Sequence, residues 1–282
     1  MRTIPGRQDR RRRIRRVSTA LALTCAMLIP AASRLPAQNA AESTTGTAGQ
    51  NQQKARATLD AMVAALGGDR WLTLANTMQH GRTLGFYQSK PTGAMSDYYE
   101  FHVFPNQTRI ELGKKRDAAE IFFGDQGWEV TYRGKRILPA DEVQDFVRRR
   151  DHSIEAAMRV WLKDPATILI YAGQAQVERH LADQVTLINA ENDSVTIEVD
   201  AETHLPLRRS WQWRDPLYKD KNSDSEEYDD YHVVEGIPTP FAITRYHNDD
   251  LTNERFLYDA GYNLSLPPDL FDVDKAASKL VK

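Results

Sequence analysis

The apolar residues after residue 54 first recur at the spacing of an α-helix. They lie mostly three or four positions apart and form one stripe: Ala55, Leu59, Met62, Val63 and Leu66. Gly67-Gly68 follows directly, and glycine readily adopts the left-handed conformation that ends a helix. The pattern predicts a first helix ending near Leu66, with a short helical turn over 70–74 after it.

Beyond residue 98 the apolar residues alternate with polar ones, which is the period of a β-strand. Phe101 and Val103, for example, alternate with Glu100 and His102. Turns rich in Gly, Pro, Asn and Asp separate these runs, as in antiparallel hairpins. Strand patterns resume after residue 166, and the charged stretch 219–227 predicts a hairpin loop. The chain therefore predicts about a dozen antiparallel strands.

A second helical pattern interrupts the strands between residues 141 and 163. Because a helix inserted among hairpins must bury its apolar stripe, we expect it to cover the open side of a curled sheet. Arg148-Arg149-Arg150 in its middle is typical of a solvated face, or of a bend between two helices, rather than of an anion site. The residues expected to act as a lid are Phe146, Val147, Met158 and Trp161.

The first 37 residues have the layout of an export signal. They hold nine arginines and one acidic residue, and the stretch 17–33 is uncharged and rich in Ala and Leu. A basic start, an apolar core and a small residue before a polar stretch are typical of a secretory signal peptide. We expect cleavage after Ala37 or Ser33 and a periplasmic destination; an uncleaved N-terminal anchor is the alternative.

Changes in composition divide the rest of the chain into three parts. Residues 38–53 are small and polar, which predicts a flexible low-complexity linker. Residues 54–274 have the apolar content of one folded domain, and residues 275–282 are expected to form a C-terminal tail.

The charge balance after residue 37 excludes several classes of partner. That part of the chain carries 28 basic and 38 acidic residues. Nucleic-acid binding needs clustered Lys and Arg on the folded part, so no nucleic acid is expected as a partner. The same balance argues against permanent attachment to an anionic membrane.

The sequence also lacks the usual signatures of catalysis. It has no GxSxG, HExxH, P-loop or GxGxxG motif. Its one cysteine, Cys25, lies in the leader, so the folded part has no disulfide or cysteine ligand. We therefore expect no enzyme, no catalytic residue, no metal and no cofactor.

Several segments together resemble the LolA/LolB-like outer-membrane lipoprotein-sorting proteins, as a divergent member. They are the exported leader, ALGG before DRWLTLANTM, the segment ETHLPLRRSWQW, and the tail from YDDYHVVEGIPTPFAITRYH to NLSLPPDLFD. The resemblance covers residues 54–274. It implies a mainly β (α+β) fold: an incomplete, strongly curved antiparallel β-barrel of about eleven strands, with helices covering its concave apolar side.

The resemblance also implies a function without chemistry. The family's carriers hold lipoprotein acyl chains, so we expect a periplasmic carrier of acyl chains or of another hydrophobic ligand, with an envelope protein as a further partner. The alternative is a regulatory or accessory module of envelope stress with the same fold. The family's carriers also have an inward arginine that clasps the lid; Arg109 is a candidate, and equally fits an outward strand position.

A stripe of large apolar residues is the candidate wall of the ligand cavity. Strand alternation puts each of them opposite polar neighbours. The same residues would also suit an ordinary filled core, and the sequence does not separate the two interpretations. The candidates are Phe101, Ile110, Phe123, Trp128, Val130, Tyr132, Val195, Ile197, Val199, Trp211 and Trp213.

Overall fold

The protein is built on one open antiparallel sheet that carries helices on both faces. A computed structural model describes residues 38–280. The helices of this part are α1 (Gln38–Ala65), α2 (Asp69–Leu72), α3 (Ala140–Asp151), α4 (Ile154–Arg159), a 3₁₀ turn (Trp161–Lys163) and α5 (Val273–Leu280). Its strands are β1 (Asn76–Tyr87), β2 (Lys90–Pro91), β3 (Ser96–Val103), β4 (Gln107–Leu112), β5 (Ala118–Phe123), β6 (Gln126–Thr131), β7 (Gly134–Ile137), β8 (Ile168–Val177), β9 (His180–Ile188), β10 (Ser194–Asp200), β11 (Pro206–Arg214), β12 (Lys221–Val234), β13 (Ile237–His247) and β14 (Asp250–Tyr262).

The order of the strands explains how the chain covers the sheet. It runs β7-β6-β5-β4-β3-β1-β14-β13-β12-β11-β10-β9-β8, and β2 pairs only with β1. The chain thus starts in the middle, moves out to the β7 edge, crosses to the β8 edge and returns to the middle. The predicted mainly β, curved and open architecture is confirmed, with fourteen strands in the described residues instead of about eleven.

The crossing from β7 to β8 is made by α3, α4 and the 3₁₀ turn. Because β7 and β8 lie at opposite edges, this connection spans a whole face of the sheet, which we call the inner face. The helix breaks at His152, and the Ser153 hydroxyl then caps α4 by accepting a hydrogen bond from the amide of Ala156 at 3.0 Å. Of the two interpretations of the arginine run, a solvated face or a bend between two helices, the structure shows the bend.

Helix α1 fills the β8–β10 end of the inner face. Leu59 and Met62 are fully buried there and belong to one apolar core with Val185, Leu187 and Ile197. The helix ends as predicted, with positive φ angles of 119° and 62° at Gly67 and Gly68. This half of the inner face is solid core.

The segment predicted as a linker is part of α1, which already begins at Gln38. The amide group of Asn51 attaches this helix to the edge strand β8. Its Nδ2 donates to the carbonyl of Tyr171 at 2.7 Å, and its Oδ1 accepts from the amide of Tyr171 at 2.9 Å. Composition missed this helix because its anchor is a polar side chain rather than an apolar stripe.

Replacing Asn51 with alanine is expected to lower the free energy of unfolding by about 1–2 kcal/mol, since two hydrogen bonds to the edge strand are lost. Chemical denaturation of both proteins measures the difference. The exposed Gln53 provides the control, because Gln53→Ala should change stability by less than about 0.5 kcal/mol. Equal stabilities for Asn51→Ala and the wild type would contradict the anchoring role.

Helix α5 covers part of the opposite, outer face. Ala276 is buried against Ile121 and Val130, with Phe271 and Val273 packed around them. The prediction of a tail from residue 275 is therefore wrong for residues 275–280, which belong to α5. Ala276 of this helix completes a second apolar cluster.

Arg109 lies on this outer face, beneath the C-terminal segment. Its Nη1 donates to the carbonyl of Leu270 at 2.8 Å, and its Nε donates to Glu111 at 2.7 Å. Of the two positions considered for it, the outward one is therefore correct. It does not clasp the crossover helices.

Two strands differ from the sequence pattern for physical reasons. The pattern missed β1, whose alternation is broken by a bulge between His80 and Gly81. A Cβ atom at Gly81 would lie 2.2 Å from the carbonyl oxygen of Phe256, so only glycine fits there. The predicted charged loop 219–227 is mostly strand, because β12 begins at Lys221 and its charged residues are paired across the sheet.

The predicted signal peptide, with both cleavage positions, lies outside the described residues. Between residues 38 and 280, no helix is both long and apolar enough to cross a membrane.

Candidate ligand-binding site

A cavity of about 230 Å³ lies between the crossover helices and the centre of the inner face, and we call it the main cavity because of this central position rather than its size. Its helical wall includes Phe146 and Arg149 on α3 and Ile154 and Glu155 on α4. Its sheet wall comes from β1, β3, β4 and β11–β14. It therefore occupies the part of the inner face that α1 leaves uncovered.

Aromatic and aliphatic side chains join α3 to the sheet at one end of the main cavity. Phe146 stacks on Phe122 of β5, with ring centroids 3.6 Å apart and an angle of 7° between the rings. Ile110 packs beside this pair and also lines the cavity. These contacts hold α3 above the sheet.

The floor is charged. Glu226 of β12, with a side chain only 5% exposed, accepts hydrogen bonds from three arginines on neighbouring strands. The distances are 2.6 Å from Nη2 of Arg209, 2.7 Å from Nε of Arg245 and 2.9 Å from Nη2 of Arg255. Arg255 also donates to Glu100 at 3.1 Å. We call this group the Glu226 cluster.

The Glu226 cluster shifts the pKa values of the groups in it. Burial alone would raise the pKa of Glu226, but Arg209, Arg245 and Arg255 together hold it well below its usual value. The hydroxyl of Tyr228 donates to the same carboxylate at 3.1 Å, and burial raises the pKa of Tyr228 well above its usual value. Glu226 is therefore ionised and Tyr228 neutral at neutral pH.

The lining as a whole has an excess of positive charge. Five arginines (149, 150, 209, 245 and 255) face three glutamates (100, 155 and 226), which leaves two positive charges unbalanced. Burial lowers the pKa of His102, so this histidine adds no charge at neutral pH. The main cavity is thus amphipathic rather than purely apolar.

The three consecutive arginines of α3 have different environments. Arg148 donates to Asp145 at 2.7 Å and lies over the ring of Trp213, 3.5 Å from its centroid. Arg150 donates to the carbonyl of Gly124 at 2.6 Å. The guanidinium of Arg149 has no hydrogen bond or ion pair with any residue between 38 and 280, although it lines the main cavity.

A second cavity, of about 280 Å³, lies on the other side of Arg149. Trp211, Trp213 and Asp224 form its wall, and it shares Arg149, Arg245 and Glu226 with the main cavity. Nε1 of Trp213 donates to Asp224 at 2.6 Å.

Few of the predicted cavity residues face the main cavity. Ile110 lines it, while Trp211 and Trp213 line the second cavity. Three others lie on the inner face but are fully buried, at 0% exposure, under α1: Val195, Ile197 and Val199. That part of the stripe is filled core, because α1 occupies the space above it.

The other five do not lie on the inner face at all, which corrects the prediction. Phe101, Trp128 and Val130 share a face with Arg109 and Ile121, which α5 and the segment before it partly cover. Phe123 and Tyr132 are 52% and 64% exposed. The alternation was correct, but it does not tell which of two faces is the inner one.

The predicted lid residues divide in the same way. Phe146 lines the main cavity, and Val147 packs beside it against Phe122. Met158 and Trp161 are buried in the core beneath α1. Of the four predicted lid residues, only Phe146 therefore lines the main cavity.

Sequence reasoning missed the charged floor and Arg149. The sequence did contain a sign that Arg209 faces inward, since it lies two and four positions before Trp211 and Trp213 and therefore shares their face of β11. The described residues contain no group of three or more His, Cys, Asp or Glu placed to hold a metal ion. A lining that combines apolar side chains such as Ile110, Phe146 and Ile154 with an excess of arginines suits binding of an amphiphilic molecule.

No protein-family model matches the sequence, and a comparison with curated proteins finds no match. The structure is similar to a DUF1329 family protein from Desulfovibrio piger, with a TM-score of 0.54 and 12% identity over 78% of this chain and 98% of that one. It is also similar to a domain named for outer membrane lipoprotein sorting from Vibrio parahaemolyticus. There the TM-score is 0.50 and the identity 8%, over 79% of this chain and 99% of that one.

These two likenesses establish the fold. The chain shares its open-sheet fold with these two proteins, in line with the lipoprotein-sorting resemblance in its sequence. At such low identity the likeness concerns the fold alone, and the ligand has to be argued from the cavity.

Proposed function

We propose that the protein is a carrier that binds the apolar chain of a lipid or lipoprotein in the main cavity, and that it works in the periplasm after removal of its leader. The observation that carries this proposal is the cavity itself. The crossover helices span the inner face and leave about 230 Å³ open over the sheet centre. A purely structural connection would be expected to pack onto the sheet.

The size of the main cavity limits how the ligand enters. Small-molecule pockets usually measure roughly 300–1,000 Å³, so this cavity is small for a long acyl chain. Helix α3 would move outward as the chain enters. Its apolar contacts with the sheet are confined to one small cluster around Phe122, Leu138 and Val143, which makes such movement inexpensive compared with moving α1.

The neutral apolar dye N-phenyl-1-naphthylamine tests the proposal. We expect the folded protein to enhance the fluorescence of the dye in a saturable way. We also expect dodecanol to displace the dye, because both molecules would bury apolar surface in the same cavity under α3. Ile110→Trp places a larger side chain in the main cavity and should weaken binding of the dye severalfold.

The same substitution at an exposed position provides the control. Ile137 is 77% exposed on the β7 edge strand, so Ile137→Trp should leave the affinity for the dye unchanged. A dye signal that rises without saturation, or equal effects of both variants, would contradict a cavity carrier and favour the interaction-module alternative.

A further inference from the structure

Arg149 is the one arginine of the main cavity whose guanidinium makes no hydrogen bond or ion pair with the described residues. Its carbonyl oxygen accepts a hydrogen bond from Nη1 of Arg209 at 2.9 Å, which fixes this turn of α3 above the floor. Its guanidinium, in contrast, has no hydrogen bond or ion pair with residues 38–280, and it lines both cavities. Five N–H donors therefore remain available at the junction of the two cavities.

The surroundings make this position unfavourable for an isolated cation. Burial lowers the pKa of Arg149 to about 10, and repulsion by Arg245 adds to the effect, while the carboxylates of Asp145, Glu226 and Asp224 oppose it only in part. Arg149 still carries its charge at neutral pH, because about 10 lies well above 7. A half-buried charge without a partner costs free energy that an anion at the same place would recover.

The neighbouring arginines are already engaged. Arg209, Arg245 and Arg255 bind Glu226, and Arg150 binds the carbonyl of Gly124. An incoming anion would thus meet one free guanidinium, in a lining that has two more positive than negative charges.

We propose that the ligand is a single-chain amphiphile with an anionic head group, a carboxylate or a phosphate monoester, and that Arg149 binds this head group. The proposal rests on the proposed function, and it names the ligand class. The apolar tail would lie against Ile110, Phe146 and Ile154, which line the same cavity. It replaces the sequence-based expectation that the three arginines do not form an anion site.

Binding of the head group would also hold the lid. Because Arg149 belongs to α3, an anion between it and the floor ties the crossover helix to the sheet. The cavity would then stay closed while an anion is bound to Arg149, and α3 would be free to open when the cavity is empty.

Displacement of N-phenyl-1-naphthylamine by dodecanoate and by dodecanol, both below their micellar concentrations, tests the proposal. The two competitors have the same chain length and differ in the charge of the head. We expect dodecanoate to compete roughly 10- to 100-fold better than dodecanol, as for a hydrogen bond to a charged group. Sodium acetate and inorganic phosphate, which lack the chain, should not displace the dye at the same concentrations.

Two variants of Arg149 and one distant control localise the effect. Arg149→Met should abolish the preference for dodecanoate over dodecanol, measured as the ratio of the two competing concentrations within the same variant. Arg149→Lys keeps the charge and should retain much of the preference. Arg179→Met removes the same charge from an exposed turn and should behave as the wild type. Circular dichroism confirms that each variant is folded.

The outcomes separate this proposal from the proposed function. Binding of the dye with equal competition by both competitors would overturn the anionic head group and leave the carrier function intact. A preference for dodecanoate that persists in folded Arg149→Met, or that Arg149→Lys fails to retain, would overturn the role of Arg149. Absence of dye binding by the folded wild type would contradict the carrier function itself.

Discussion

Replacing Glu226 with glutamine is expected to lower the free energy of unfolding by about 3–5 kcal/mol at neutral pH, as when one partner of a buried ion pair is removed. The variant leaves Arg209 buried without its counter-charge and leaves Arg255 with Glu100 alone. Glutamine keeps the size of the side chain but accepts through one oxygen only, and its NH₂ group faces guanidinium donors. Urea denaturation measures the loss.

The effect of this substitution should depend on pH in a defined direction. The pKa of Glu226 lies below its ordinary value of 4.5 in the folded protein. The carboxylate therefore contributes its stabilisation above pH 4.5, and this contribution is lost as the pH falls towards the folded-state pKa. Between those values the wild type should lose about 1.4 kcal/mol per pH unit relative to Glu226→Gln.

The adjacent residue on β12 provides a matched control. Glu227 is half-buried, and its nearest arginine nitrogen, on Arg208, is 3.7 Å away. Glu227→Gln should cost less than about 1 kcal/mol, as is usual for partly exposed pairs. Parallel stability curves of the wild type and Glu226→Gln from pH 6 to pH 3 would contradict the depressed pKa.

The sequence predicted the helices and strands better than it predicted which side of each strand lies on the inner face of the sheet. Alternation correctly put Trp128 and Val130 on one side of β6, because side chains of a strand alternate strictly. Which side is the inner one depends on α5, whose residues cover Ile121 and Val130 from outside. At β4–β6 both faces are therefore partly apolar, and a single strand does not distinguish them.

The charged floor depends on register across four strands. Arg209 lies opposite Glu226, and Glu226 opposite Arg245, whereas Arg255 reaches the same carboxylate from β14. A sequence shows that these residues are charged, but not that β11–β14 bring them together. A charged residue in step with an inward tryptophan, as Arg209 is with Trp211, was the available sign of a buried partner.

The crossover helices were predictable for a topological reason. A helix between two runs of hairpins must bury its apolar stripe, and the inner face is where the connection from β7 to β8 runs. The sequence could not tell that α3 stands above a cavity, whereas Met158 and Trp161 further along the crossover enter the core. That division depends on α1, which occupies the β8–β10 half of the face.

This division predicts opposite results for two aromatic truncations in the crossover. Trp161 is only 8% exposed and belongs to the core beneath α1. Trp161→Ala should therefore lower the free energy of unfolding by about 3–5 kcal/mol, the usual cost of truncating a buried aromatic residue. Because Trp161 does not line the main cavity, the affinity of the folded protein for N-phenyl-1-naphthylamine should be unchanged.

Phe146→Ala should have the reverse profile. Phe146 is half-buried and borders an existing cavity, so its removal should cost only about 1–2 kcal/mol, the scale of its stacking contact with Phe122 and part of its burial. It lines the main cavity, and losing about 1 kcal/mol of contact with the dye should speed dye dissociation about fivefold. Stopped-flow dissociation kinetics and urea denaturation of both variants give the two readouts. If Phe146→Ala destabilises as much as Trp161→Ala while the dissociation rate stays constant, α3 is ordinary core and the lid has no role in retaining a ligand.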